Sequence, residues 1–485
     1  MSQNTSNPDG GDAPRPGMLT RILQRMLPGK ARPPQAASSV SKDKSGRNEM
    51  DYVVLGAGPA GVTAAETLRS IDKTARITII NGEKEPQPYS RMAIPYYIYG
   101  KIEEGGTYLR QTEDHYGKMG IEYRVGRCGG IDSKGHKVHL SGGESIPYDK
   151  LLIATGASPI IPPMPGANLP GVHTCWTLND AREILKHADK GSPVVLVGAG
   201  FIGCIILEAL YLKGCKITIV EFAPRMVARM MDETAGGMLG RWCQKKGVDV
   251  RVSTKVEGIR EGSDSPDAKL TVDLSDGTSV PAALVVLAVG VRSNINFLVG
   301  SGVETNVGIK VNEYLETTAP DIYAAGDCCE GIDLSTGKPD MLAIQPVAVE
   351  HGRIAAQNMA GHPTPHEGSL NMNVLDTMGL ISSSFGLWQG APLGKTAKLI
   401  DEDNFKYLKL EFEGDKLIGA QCVGMTDHVG MLRGLIQTGF HLGEWRDKLL
   451  EAPERLREAY VAVSQARPNY GPVAPHTNTP VAKAG

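Results

Sequence analysis

The sequence predicts an α/β chain with two βαβ dinucleotide-binding units and a smaller α+β module after them. Three observations predict it. Gly56-Ala57-Gly58-Pro59-Ala60-Gly61 follows a short β-branched run and opens a helical stretch. Gly198-Ala199-Gly200-Phe201-Ile202-Gly203 repeats that arrangement 142 positions later. From about residue 363 the pattern changes to short alternating strands and apolar helices. A chain of 485 residues can bury several cores, and a hydrophobic share of 41% with 22% charged is ordinary globular usage. The near-balance of 51 Lys plus Arg against 54 Asp plus Glu excludes a nucleic-acid-binding body, which needs a basic excess.

The elements follow in order. Residues 1–48 read as a basic, mostly disordered extension: up to residue 47 they hold eight basic side chains against Asp9, Asp12 and Asp43, a net of +5. Within it Met18, Leu19, Ile22, Leu23, Met26 and Leu27 recur at helical spacing, with Arg21 and Arg25 on another face, so one short amphipathic helix is expected. Asp51–Leu55 is a strand, Ala60–Ser70 a helix and Arg76–Ile80 a second strand; Pro193–Val197 and Lys216–Val220 repeat the pair. Pro162–Gly166 reads as the crossing between the units. Lys406–Glu411 and Lys416–Cys422 are strands of the last module, Val429–Gly439 and Glu454–Ser464 its helices, and residues 471–485 a disordered tail. No apolar run is long enough to span a membrane, and the eight scattered cysteines, without a CxxC, suit a reducing cytoplasm.

Each glycine turn places free helix N–H groups where a pyrophosphate can approach. Glu83, 22 positions after Gly61, is either the acceptor of the ribose hydroxyls or a solvated loop carboxylate. Glu221, 18 positions after Gly203, is spaced to pair with the 2′-hydroxyl of NAD and to repel the 2′-phosphate of NADP, with Arg225 four positions on weakening that only slightly. NADH is therefore expected, with NADPH the less favoured cofactor.

With both turns, Leu151-Leu152-Ile153-Ala154-Thr155-Gly156-Ala157 and Ile322-Tyr323-Ala324-Ala325-Gly326-Asp327 in this order, the chain resembles the FAD-dependent pyridine nucleotide-disulfide oxidoreductase superfamily over residues 50 to about 465. The nearest branches are the coenzyme A-disulfide reductases and NADH oxidases, with NADH:rubredoxin and nitrite reductase-type flavoproteins beside them. The resemblance implies a FAD domain in two segments, 49–165 and 290–362, with an NAD(H) domain inserted at 166–289 and an interface domain at 363–470. It implies that Gly56, Gly58, Pro59, Ala60, Gly61, Glu83, Arg91, Ala154, Thr155, Gly156, Gly326 and Asp327 contact FAD, with Asp327 on the ribityl chain. Gln345, Pro346 and Val347 would open a helix aimed at the flavin pyrimidine edge. Gly198, Gly200, Ile202, Gly203, Glu221 and Gly290 would hold NADH. Phe201 matches an aromatic that shields the flavin, plain packing being its alternative.

The departures matter as much. Met92, in Tyr89-Ser90-Arg91-Met92-Ala93-Ile94-Pro95-Tyr96-Tyr97, stands where the coenzyme A-disulfide branch has its redox cysteine, and a thioether forms neither thiolate nor disulfide. Ile205 replaces a common glutamate near the nicotinamide, with Glu208 too far along to substitute for it, and Ser293 replaces a common proline. Cys328-Cys329 are read as small buried side chains, His351 as helix surface or a structural hydrogen-bond donor, and no metal site is expected. The function expected is hydride transfer from NADH to FAD, then electron transfer to a redox protein or small electron carrier without a redox-active cysteine. The alternatives are an oxygen-reducing NADH oxidase and a flavin- and NADH-binding sensor or scaffold. A homodimer is expected through the last module, with Asn371–Val374 and Gly434–Gln437 as core segments of that interface domain. Residues 18–32 are expected to dock on a membrane surface or an acidic partner, or to pack on the chain's own acidic body. Location is expected to be cytoplasmic, with peripheral membrane attachment the further possibility.

Overall fold

A computed structural model describes residues 49–465 apart from 264 and 266. The amphipathic helix expected near residues 18–27, its docking, and the tail at 471–485 lie outside the described residues. Asp51–Leu55 and Pro193–Val197 are each buried at four of five positions, as fits central strands of parallel sheets covered on both faces. Each sits in the middle of a five-stranded parallel sheet. The first runs Ile322–Ala324, Lys150–Ile153, Asp51–Leu55, Arg76–Asn81, Ile121–Val125. The second runs Asp249–Arg251, Lys216–Val220, Pro193–Val197, Leu284–Leu287, Val172–Thr174. The sequence between the two copies thus supplies strands to both sheets, and the chain returns to the first sheet only at Ile322. Ala157–Pro159 pairs antiparallel with Val291–Ser293, so the outgoing and returning chain cross side by side.

Helix Pro59–Ile71 leaves the first glycine turn and packs on helix Gln345–Met359. That approach needs glycine: a Cβ on Gly352 would overlap the Ala60 carbonyl. Gly56 takes φ +110°, and a Cβ there would overlap the Ala154 carbonyl oxygen of the adjoining strand. The sequence therefore brings three segments, 56–61, 154–156 and 345–352, to one spot. The last module is a five-stranded antiparallel sheet in the order Met372–Thr377, Leu380–Gly386, Lys416–Val423, Lys406–Glu413, Lys395–Asp401. One face is covered by its own helices Val429–Thr438, Trp445–Glu451 and Leu456–Gln465. The other carries Leu375, Leu380, Tyr407 and Val423 into the core of the second unit. The expected helix at Glu454–Ser464 begins with a 3-10 turn at Pro453–Arg455, because Pro453 cannot continue the preceding helix.

One expectation needs correcting. His351 is not helix surface; it is 1% exposed. It faces inward because it lies beside Gly352, on the side of the helix that meets Ala60. Leu435 and Ile436 are buried in the last module's own core, while Met372, Asn373 and Val374 line a cavity and Val374 is also half exposed.

Candidate functional site

A cavity of about 840 Å³ lies at the carboxyl ends of the first sheet, where open α/β sheets place their ligands. Gly56, Gly58, Pro59 and Ala60 form one wall, Ala154, Thr155 and Gly156 a second, and Gly326 and Asp327 a third. Nothing lies within 4 Å of where a Gly58 Cβ would be, so that backbone faces open space, whereas a Cβ on Gly61 would overlap the Gly56 carbonyl. Gly58 is thus open for a phosphate, and Gly61 closes the helix against the turn. Gln345 and Pro346 also line the cavity. Val347, 4% exposed, does not, but as a first-turn residue its N–H has no partner within the helix.

Residues 89–91 hold the cavity together. Tyr89 donates its hydroxyl to the Glu83 carboxylate, and Ser90 Oγ donates to Gln345 Oε1 at 3.2 Å. Arg91 donates to Glu83 Oε1 at 2.7 Å and to the Trp176 carbonyl at 3.2 Å, with its guanidinium 4.8 Å from the Trp176 ring centroid. Glu83 is therefore not a freely solvated carboxylate. Asp327 is largely buried, and burial raises its carboxyl above the usual range while the Arg91 charge opposes the rise. Ser293 donates its hydroxyl to the Asp327 carbonyl at 2.9 Å, a bond that a proline at this position could not make. Asn294 bridges the crossing strands: its Nδ2 donates to the Thr155 carbonyl at 2.9 Å and its carbonyl accepts from Thr155 Oγ1 at 2.9 Å.

The second turn contributes differently. Phe201, Ile202, Ile205 and Ile206 line the cavity, with Met92, Ile94 and Pro95 among the other apolar lining residues. Met92 is 46% exposed in the short 3-10 turn Arg91–Ala93. Phe201 both lines the cavity and packs against the core of the second unit. Gly198, Gly200, Gly203, Glu221 and Gly290 are not in the wall. Glu221 instead accepts from the Ala199 N–H at 2.6 Å and the Ala223 N–H at 2.7 Å, which pins it beside its own glycine turn. Glu208 is also outside the wall, and burial followed by the Asp376 charge raises its carboxyl.

Cys328 and Cys329 are fully buried thiols, raised by desolvation. Cys328 Sγ donates to the Ile153 carbonyl at 3.3 Å and Cys329 Sγ to the Gly326 carbonyl at 3.3 Å. His351 Nδ1 accepts from the Gly326 N–H at 3.4 Å, and burial lowers the ring to about 3, so it stays neutral. Among the described residues no His, Cys, Asp and Glu cluster could hold a metal. Sequence reasoning missed Trp176, Asn294 and Asn373. For Trp176 a signal existed: Thr177-Leu178-Asn179-Asp180 has capping-box spacing, and Asp180 Oδ2 accepts from the Trp176 and Thr177 N–H groups at 2.9 and 3.0 Å.

A cavity with open glycine backbone, a buried carboxylate and a helix N-terminus fits an FAD: acceptors for sugar hydroxyls, donors for phosphate and flavin oxygens. The model of the family "Pyridine nucleotide-disulphide oxidoreductase" matches residues 50–352. An NADH oxidase of Methanocaldococcus jannaschii is 35% identical over 321 residues, covering 64% of this chain and 70% of that protein. The NADH-dependent phenylglyoxylate dehydrogenase subunit epsilon of Aromatoleum evansii is 31% identical over 406 residues, covering 83% of this chain and 95% of that protein. A crystal structure of a ferredoxin reductase from Rhodopseudomonas palustris superposes with a TM-score of 0.74 at 26% identity, covering 84% of this chain and 100% of that one.

Proposed function

The chain belongs to the pyridine nucleotide-disulphide oxidoreductase family, and from that premise we propose that it passes electrons from NADH to a redox protein or small electron carrier without a redox-active cysteine. It is an NADH-dependent flavoprotein oxidoreductase with FAD and NADH as cofactors. The observation that carries the proposal is the shared cavity: the first glycine turn and Asp327 face the helix of the second turn at Phe201, Ile202 and Ile205 across one space. Bound FAD supplies the conversion between two-electron and one-electron transfer. Gly56, Gly58, Pro59 and Ala60 hold its pyrophosphate, Glu83 and Asp327 accept from its hydroxyls, and Arg91 adds a fixed positive charge between them. Gln345, with Val347, presents N–H groups that favour negative charge at the flavin. Phe201 would cover the flavin, and Gly198, Gly200, Ile202, Gly203, Glu221 and Gly290 would hold the NADH. The apolar side chains of Phe201, Ile202, Ile205 and Met92 exclude water from the transferring hydride.

Anaerobic mixing with NADH should bleach the flavin, with slow turnover in oxygen and fast turnover with a one-electron acceptor. Oxygen turnover as fast as acceptor turnover would make it an oxidase, the reading that the Methanocaldococcus jannaschii relative favours. No bleaching at all would leave a sensor or scaffold. Because Cys328 and Cys329 are buried protonated thiols, replacing both by Ser should leave the bleaching rate unchanged; a thiolate–flavin charge-transfer band lost in that variant is the contrary result.

Assembly completes the proposal. The last module pairs two chains into a homodimer, and residues 18–32 dock the enzyme on an anionic membrane surface or an acidic partner. Light scattering should give a dimer mass at micromolar concentration, where a monomer mass rejects the pairing. Deleting residues 1–47 should leave NADH-dependent bleaching intact and abolish salt-sensitive binding to liposomes or partner; binding that survives the deletion refutes docking. Among the described residues no helix is long and apolar enough to cross a membrane.

A further inference from the structure

On the face of the last sheet that meets the second unit, one row of residues crosses four strands. Asn373 pairs with Ser384, Ser384 with Gln421, and Gln421 with Lys409. Directly opposite residues of antiparallel strands put their side chains on the same face about 5 Å apart, so four polar side chains stand in file. Asn373 lies in the cavity wall. Ser384 and Gln421 are 1% and 0% exposed, and Ser384 Oγ and Gln421 Nε2 have no hydrogen-bond partner among the described residues. Ser382 and Thr377, both 0% exposed on the same face, add two more unpartnered hydroxyls.

The far end of the row is charged. Lys409 Nζ donates to Glu411 Oε1 at 2.8 Å and to the Trp388 carbonyl at 3.1 Å, and lies 3.6 Å from Asp232 Oδ2. Gln421 Oε1 accepts from the Asp232 N–H at 3.2 Å. Thr396, which is exposed, donates its hydroxyl to Glu411 Oε2 at 2.8 Å. A polar path thus runs from the cavity wall to the surface beneath an otherwise apolar seam.

Buried polar atoms are almost always bonded, and unpartnered ones call for internal water. Side chains directly opposite on paired strands are about 5 Å apart, within the span of one water bonded to both at about 2.8 Å. We propose that this row holds internal water and carries protons between the cavity and solvent at Thr396. The proton route rests on the reading that NADH is oxidised in this cavity. Two one-electron acceptors take the two electrons of NADH, leaving NAD+ and one proton. Phe201, Ile202, Ile205, Ile206, Met92 and Pro95 offer that proton no acceptor on the nicotinamide side, whereas Asn373 opens onto the row. The proton then passes by hydroxyl and water to the Glu411 carboxylate and out at Thr396.

The test uses the FAD-loaded protein, excess NADH and ferricyanide as the probe acceptor. Ser384→Ala should slow proton release, read with an indicator dye in stopped flow, several-fold and enlarge the D2O effect on turnover. Anaerobic bleaching by NADH should not change. The melting temperature should fall, with FAD and without it, because a bonded water loses a partner, and Ser384→Thr should restore both readouts. A rise in melting temperature, as when an unbonded hydroxyl is removed from a dry site, would overturn the water; unchanged proton release, or Thr as slow as Ala, would overturn the path. If NADH fails to bleach the parent protein, it is the reading of the cavity that has failed, and the melting comparison still decides the water.

Discussion

Asp327→Ala is expected to cost the protein its FAD. A carboxylate accepting from sugar hydroxyls makes charge-assisted bonds of about 1.5–3 kcal/mol, so affinity should fall roughly 10- to 150-fold. Fluorescence titration of stripped protein measures this directly, and an unchanged affinity rejects the role. Burial also gives the prediction a sign in pH. The Asp327 carboxyl is raised above its ordinary 3.8, so the FAD-free fold favours its protonated form. That contribution to stability is fully present below the unfolded value and is lost as pH rises through the raised one. Bound FAD favours the charged form instead. FAD affinity should therefore weaken as pH falls through the raised value, and Asp327→Ala should remove that dependence while stabilising the FAD-free protein at neutral pH.

Glu221→Ser is expected to erode the preference for NADH over NADPH. In the parent chain the Ala199 and Ala223 N–H groups fix the carboxylate, so it cannot swing away from a 2′-phosphate. A like-charge juxtaposition costs several kcal/mol, which puts the preference on the order of 100-fold. Arg225 does not rescue NADPH, because its guanidinium is committed to the Met231 and Ala228 carbonyls at 3.0 and 3.3 Å and to Glu233 at 3.2 Å. Arg225→Ala should accordingly leave the preference as it was. Stopped-flow bleaching at varied cofactor concentration measures all three proteins, and equal affinity of the parent chain for both cofactors would refute the assignment.

What is legible in the sequence is local. A glycine turn is written in six adjacent residues, and its strand and helix in their neighbours, so the residue order alone places both units and the first wall of the cavity. Asp327 is legible only through the order of motifs along the chain. Trp176 and Asn294 are not, because their roles depend on which distant segment each one meets: Trp176 meets Arg91, and Asn294 meets Thr155. His351 departs from its expected place for the same reason. Its helix is polar enough to suggest a surface position, and only the glycine contact between Gly352 and Ala60 turns that side inward. The polar row from Asn373 to Lys409 is invisible in sequence, since it is a matter of register across four strands.

The late arrival of one strand governs how the molecule can be made. Ile322–Ala324 pairs with Leu151–Ile153, 171 positions earlier, and Asp327 rides on that strand's end. On a ribosome the whole second sheet, Val172 to Leu287, emerges while the first still lacks its edge. The second unit can therefore condense as an independent nucleus, whereas the first must wait with an open flank, and contacts so distant in sequence form slowly. A nascent chain halted before residue 322 would have its first glycine turn and the wall of Ala154, Thr155 and Gly156 but would lack the wall of Gly326 and Asp327. Availability of FAD during synthesis should thus matter most in the interval after that point, when the vitamin-derived ligand can trap the last strand as it docks.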